Sequence, residues 1–138
     1  MRINKILIVL GEPHSIFLEI LLKYFNSKEF TKNKKKIILI GSKSLFEKQI
    51  QISKINFKSR LKLINNIKEA KTKKINILNI NYINKKNISK ISSNSIKYIS
   101  NCFDLAFSLI KNDKKTVLIN GPISKKYFLK NKYLGITE

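Results

Sequence analysis

Two short turns in this chain carry residue types from which a ligand site can be built. Gly121-Pro122-Ile123-Ser124-Lys125 follows the apolar run Val117-Leu118-Ile119. It combines a proline-fixed exit from a strand, a hydroxyl able to cap the next helix, and a cation able to meet an anion at that helix start. Gly11-Glu12-Pro13-His14-Ser15-Ile16 follows the run from Ile6 to Leu10. A helix beginning there would offer unpaired N–H groups and a partial positive charge to an anion. Gly11, Glu12, Pro13, Gly121, Pro122 and Lys125 are therefore the candidate loop residues. Each turn also has an ordinary reading: a plain strand-to-helix connection for the first, an exposed lysine for Lys125. The first is not a dinucleotide-binding loop of the G-x-G-x-x-G kind, which needs further glycines where Ser15 and Phe17 intervene.

Metal and nucleophile chemistry have less to work with. His14 is the single histidine and Cys102 the single cysteine, beside eight Asp and Glu. A zinc-type cage takes three or four such ligands at suitable spacing, so no metal site is assigned in this chain. His14 reads as an exposed turn residue, no Ser-His-Asp set assembles around it, and the catalytic residue is left unassigned. A lone cysteine excludes an internal disulfide and fits a reducing cytoplasm. Cys102 itself reads as a small apolar-like residue on or near a helix face.

The totals bound the partners. At 138 residues and 43% hydrophobic, the chain suits one domain with a real core. No apolar run approaches the roughly 18 residues of a bilayer span. Glu19 breaks the run from Ile16 to Leu22, and Ile6 to Leu10 is too short for a signal-peptide core. No membrane partner is expected. A net charge of +21 points in general to polyanions. Only Arg2 and Arg60 are arginine, however, and the lysines lie scattered among Ile and Asn, the residues of A/T-rich codons. Base readout and bidentate phosphate clamps favour arginine. Genome composition therefore accounts for the excess, and nucleic acid is not the expected partner. A small basic polyanion- or nucleic-acid-binding protein stays as the alternative function.

The elements that must position the two turns are legible in the apolar pattern. Three of the four glycines stop β-branched runs: Gly11 after Ile6 to Leu10, Gly41 after Ile37 to Ile40, and Gly121 after Val117 to Asn120. Such continuous runs mark strands buried on both faces. Ile75 to Ile80 is a further strand, and Leu61 to Ile64 is too short to assign. Helical spacing runs from Ile16 to Phe25 with Ser15 as the available cap, and from Ser44, in a capping box with Glu47, to Gln51. Ile96, Ile99, Phe103, Ala106 and Ile110 make the best helix, beginning near Asn94 or Ser95 and ending near Lys111. A fourth helix is expected from about Ser124. Lys32 to Lys36 reads as a solvated turn and Lys68 to Lys74 as an exposed connection. The alternation predicts an α/β fold with a mainly parallel sheet flanked by helices, Val117 to Asn120 being an interior strand.

Taken jointly, the two turns resemble motifs of the 4-hydroxythreonine-4-phosphate dehydrogenase family of pyridoxal phosphate biosynthesis. Gly11 to Glu19, GEPHSIFLE, is similar to that family's GDPAGIGPE. Asn120 to Lys125, followed by Gly135-Ile136-Thr137-Glu138, is similar to TGPINK or TAPISK followed by GHTE. The resemblance runs the length of the chain, which is less than half of a usual member. It implies a partial isocitrate/isopropylmalate-dehydrogenase-like fold, with residues 1–138 forming one truncated domain, the N-terminal part of the family fold.

The resemblance also implies an NAD- or NADP-dependent oxidoreductase, working as a homodimer with a divalent metal on a small phosphorylated amino-acid substrate. Phosphorylated sugar-acid dehydrogenases are close relatives within the same superfamily. Thr137 matches a substrate contact. Ile136 stands where the family has a histidine, and it can neither titrate nor hydrogen-bond. The family's three metal-binding histidines have no counterpart here. The expectation is a lineage member that is inactive alone or needs a complementing C-terminal half.

Overall fold

A computed structural model of the chain describes residues 2–13, 15–82 and 93–124. Among these, strands β1 (Lys5–Val9), β2 (Lys36–Gly41), β3 (Leu61–Ile64), β4 (Ile75–Asn79) and β5 (Thr116–Asn120) form one sheet ordered β3-β4-β2-β1-β5. Every pairing is parallel, as the apolar runs predict. Helices α1 (Phe17–Phe25), α2 (Lys28–Lys32), α3 (Lys43–Ser53) and α4 (Ser93–Ile110) complete the α/β architecture. No helix of the described residues is long and apolar enough to cross a membrane.

Side chains alternate across a strand, so a strand covered on both faces must be apolar throughout. Leu7, Val9, Ile38 and Ile40 pack with Tyr98, Ile99, Cys102, Phe103 and Ala106 of α4. Their neighbours Ile8, Leu10, Ile37 and Leu39 pack on the other face with Leu18, Leu21, Leu22 and Phe25 of α1, Phe30 of α2 and Phe46 of α3. Each such aliphatic side chain contributes about 1.5–3 kcal/mol on burial. That burial makes the β1–β2 centre of the sheet the rigid base from which both turns leave.

Several local expectations change. The cap of α3 is Ser42, whose oxygen accepts the Leu45 N–H at 3.2 Å, while Glu47 pairs with Lys43. Ser44 therefore lies inside the helix. The residue preceding α1 is Ile16, with no side-chain cap; Ser15 Oγ accepts the Phe17 N–H at 3.3 Å. Helix α2 claims Lys32, leaving only residues 33–35 as the turn before β2. It is anchored by one buried residue, Phe30, packed edge-on to Phe25 at 5.1 Å, and a single anchor leaves no periodicity to read.

Leu61–Ile64 is a strand, at one edge of the sheet. The other correction is β5. Among the described residues it is the opposite edge strand rather than an interior one, and Val117 and Ile119 are 40% and 44% exposed. The connection between β3 and β4 is held down by a polar residue that periodicity cannot flag. Asn76, fully buried in β4, donates to the carbonyls of Ile37 and Lys71 and accepts the Lys71 N–H, all within 3.0 Å.

Candidate functional site

Strand order reverses between β1 and β5. From β1 the chain works outward to β2, β3 and β4 on one side; α4 then carries it back past β2 and β1 to β5. In open α/β sheets ligands bind beyond the carboxyl ends of the strands at such a reversal. The two candidate turns leave the sheet at this place, from adjacent strands whose last paired residues are Val9 and Asn120.

The turns are in direct contact. Gly11 has φ +79°, and a Cβ there would lie 2.6 Å from the Pro122 carbonyl oxygen, so only glycine fits. A Cβ on Gly121 would run into the Leu10 carbonyl oxygen and lie 2.6 Å from the Phe17 ring. The ladder continues past the strand end through Gly121 N–H to the Val9 carbonyl at 2.7 Å. Glu12 N–H then donates to the Pro122 carbonyl at 2.8 Å.

The side chain of Glu12 closes the junction. Its Oε1 accepts the Ser124 N–H at 3.1 Å across 112 positions of sequence. The residue is only 5% exposed, and Oε2 is buried without a hydrogen-bond partner among the described residues. Pro13 is buried beside it, while Pro122 is exposed. The structure thus brings Gly11, Glu12, Pro13, Gly121 and Pro122 into one unit at the β1–β5 edge. Lys125, His14, Ile136 and Thr137, and the helix expected after Ser124, lie outside the described residues.

A second groove opens at the same end of the sheet, beyond β4. It holds about 220 Å³ and is lined by Asn81, Tyr82, Asn94, Lys97, Tyr98 and Asn101. Sequence reasoning did not single out these residues, because Asn and Lys are abundant throughout the chain. The signal available was their spacing: Asn94, Lys97, Tyr98 and Asn101 fall on one helical stripe. Tyr98 reaches back into the sheet, its hydroxyl accepting the Ser42 N–H at 2.7 Å. Burial pushes the Tyr98 phenol well above its ordinary range. Burial also pushes the Cys102 thiol up to about 12, against a hydrogen bond from Tyr98 that works the other way. Cys102 is therefore core, not nucleophile, at neutral pH.

Among the described residues no three His, Cys, Asp or Glu side chains come together. The described residues offer no set that fits the divalent metal that the family resemblance implies, and no chemical step is assigned through one.

The fold recurs in solved enzymes. The chain superposes on a 4-hydroxythreonine-4-phosphate dehydrogenase from Klebsiella pneumoniae with TM-score 0.78 and 14% identity, covering 96% of this chain and 42% of that one. For the enzyme of the same name from Burkholderia phymatum the TM-score is 0.76 and the identity 16%, covering 91% and 38%. This chain thus spans about two fifths of the length of those proteins. No curated protein sequence matches it. The family model for the pyridoxal phosphate biosynthetic protein PdxA matches residues 33–138. That span includes the Gly121–Ser124 turn and begins after Gly11–Glu19. With well over half of its length matched, the chain belongs to the PdxA family.

Proposed function

We propose that this chain supplies the strand-edge part of the substrate site of a 4-hydroxythreonine-4-phosphate dehydrogenase-like, NAD(P)-dependent oxidoreductase. The observation that carries the reading is the Glu12 junction. Through the Pro122 carbonyl and the Ser124 N–H it locks together the two turns that resemble family motifs. These hydrogen bonds fix Glu12 against Pro122 and Ser124, and Thr137, further along the sequence, matches a substrate contact of the family. Rigid placement of binding groups is what orientation contributes to catalysis.

Hydride removal from a phosphorylated hydroxy-amino acid needs more than this chain offers. It has one histidine, and Ile136 occupies the position of a family histidine. The chain on its own therefore does not turn over, and its activity is that of an assembly, with a complementing C-terminal half, a family-type homodimer, or both, in the cytoplasm.

Mixing the chain with the C-terminal portion of a family enzyme and following NAD(P)H formation tests this. Turnover is expected in the mixture and in neither part alone. Robust turnover by the chain alone overturns the inactivity. A mixture that forms a complex yet stays inert, with no binding of the phosphorylated threonine, overturns the site assignment.

A further inference from the structure

We propose that the amino-terminal edge of the sheet, opposite the candidate site, binds a compact oligophosphate anion. Arg2, Ile3 and Asn4 precede β1, Lys34 and Lys35 precede β2, and Lys115 precedes β5. These strands are parallel, with Lys5 paired to both Lys36 and Thr116, so the three segments emerge side by side at one edge. Together they line an open groove of about 650 Å³, within the size range of small-ligand sites.

Four of its six lining residues are cationic and none is acidic. None of the four takes part in the ion pairs found among the described residues. Asp113, in the adjoining turn, is already held by Lys5 at 2.9 Å, Thr116 Oγ1 at 2.7 Å and the Lys115 N–H at 2.9 Å.

The general lysine excess does not account for this. The groove beside α4 has one lysine, and the groove between α3 and β3 offsets Lys43 and Arg60 with Glu47. The walls are also fixed: Asn4 N–H donates to the Lys115 carbonyl at 2.9 Å, and Lys36 N–H to the Asn4 carbonyl at 3.0 Å. Like charges held together with no acidic side chain in the lining raise the local potential, and a multivalent anion relieves it with little ordering cost.

The lining chooses the anion. It contains no aromatic side chain on which a base could stack and a single arginine for base readout. Adjacent phosphate groups are therefore the recognised feature, whether from free tripolyphosphate or from the tail of a nucleoside triphosphate. The site lies roughly 20 Å from the Glu12 junction, at about 3.3 Å per strand residue. Failure of the dehydrogenase reading would leave it untouched.

The test is titration calorimetry of the full chain with tripolyphosphate and, separately, with ATP at physiological salt. Saturable one-site binding of similar strength is expected for both, since the base adds nothing. The combined variant Arg2→Gln, Lys34→Gln, Lys35→Gln, Lys115→Gln should weaken binding by about tenfold or more. A control of equal net charge, Lys48→Gln, Lys58→Gln, Arg60→Gln, Lys97→Gln, should change it by less than about threefold. If circular dichroism shows the first variant unfolded, the exposed single changes Lys34→Gln and Lys115→Gln carry the test, each weakening binding about twofold or more. Equal losses in the two combined variants, or no saturable binding, overturn the proposal. So does an oligonucleotide whose affinity rises with length and which tripolyphosphate fails to displace.

Discussion

The two oxygens of Glu12 have different surroundings, and that difference can be measured. Oε1 accepts the Ser124 N–H, while Oε2 is buried with no partner among the described residues. Glu12→Ala removes the pin and should cost about 1–3 kcal/mol in denaturant unfolding. Glu12→Gln keeps an acceptor for Ser124 and should be nearly neutral. Equal losses in the two variants would mean that packing, not the hydrogen bond, joins the turns. Gly11→Ala places a methyl group 2.6 Å from the Pro122 carbonyl at φ +79°. It should cost about 1–3 kcal/mol; a melt unchanged from the parent chain would contradict the close approach. The glycines and Glu12 were readable as a turn. Their partner across 112 positions was not, because a side chain's tertiary hydrogen bond leaves no periodicity. The same limit misplaced the α3 cap. Ser44 with Glu47 fits the capping pattern, yet β2 ends at Gly41 and Asn79 accepts the Lys43 N–H at 2.9 Å, so the helix begins at Lys43 with Ser42 as its cap.

Among elements, β5 shows where an apolar run misleads. Val117 to Ile119 reads like the buried strands, but burial on both faces requires cover on both. Leu118 reaches the α4 side, whereas Val117 and Ile119 pair in register with Ile6 and Ile8 and are left partly open on the α1 side. Glycine-stopped runs and the α4 spacing were enough to read the parallel sheet and its longest helix. The short α2 and β3, each with a single buried residue, were not. The entry into β5 is tied by Asp113, whose carboxyl is lowered to about 2 by hydrogen bonds from Lys5, then Thr116 and Lys115. A depressed carboxylate stabilises the fold above its unfolded value of 3.8, and that stability is lost as pH falls towards 2. Asp113→Asn should therefore lower stability at neutral pH by up to about 1 kcal/mol. The gap to the parent chain should close over that acidic window. A pH-independent gap would show that charge is not the cause.

For the whole molecule, several large apolar side chains are left exposed among the described residues. Ile16 and Ile20 of the α1 region are 72% and 53% exposed, and Val117 and Ile119 are open on the same side of an edge strand. Exposed edges with apolar neighbours invite association. The isolated chain should self-associate with rising concentration in sedimentation, and Val117→Thr with Ile119→Lys should reduce it. A concentration-independent monomer would contradict this. The interior behaves in the opposite way. Cys102, 1% exposed and with its thiol raised to about 12, should resist alkylation in the native chain and react at once in denaturant. The joined turns are proposed as part of a shared dehydrogenase site. NAD(P)H formation from the phosphorylated threonine, by this chain alone and with the C-terminal portion of a family enzyme, tests it most directly. Turnover is expected only in the mixture, reduced when Gly11→Ala is introduced. Turnover by the chain alone, or a mixture indifferent to that substitution, would contradict it.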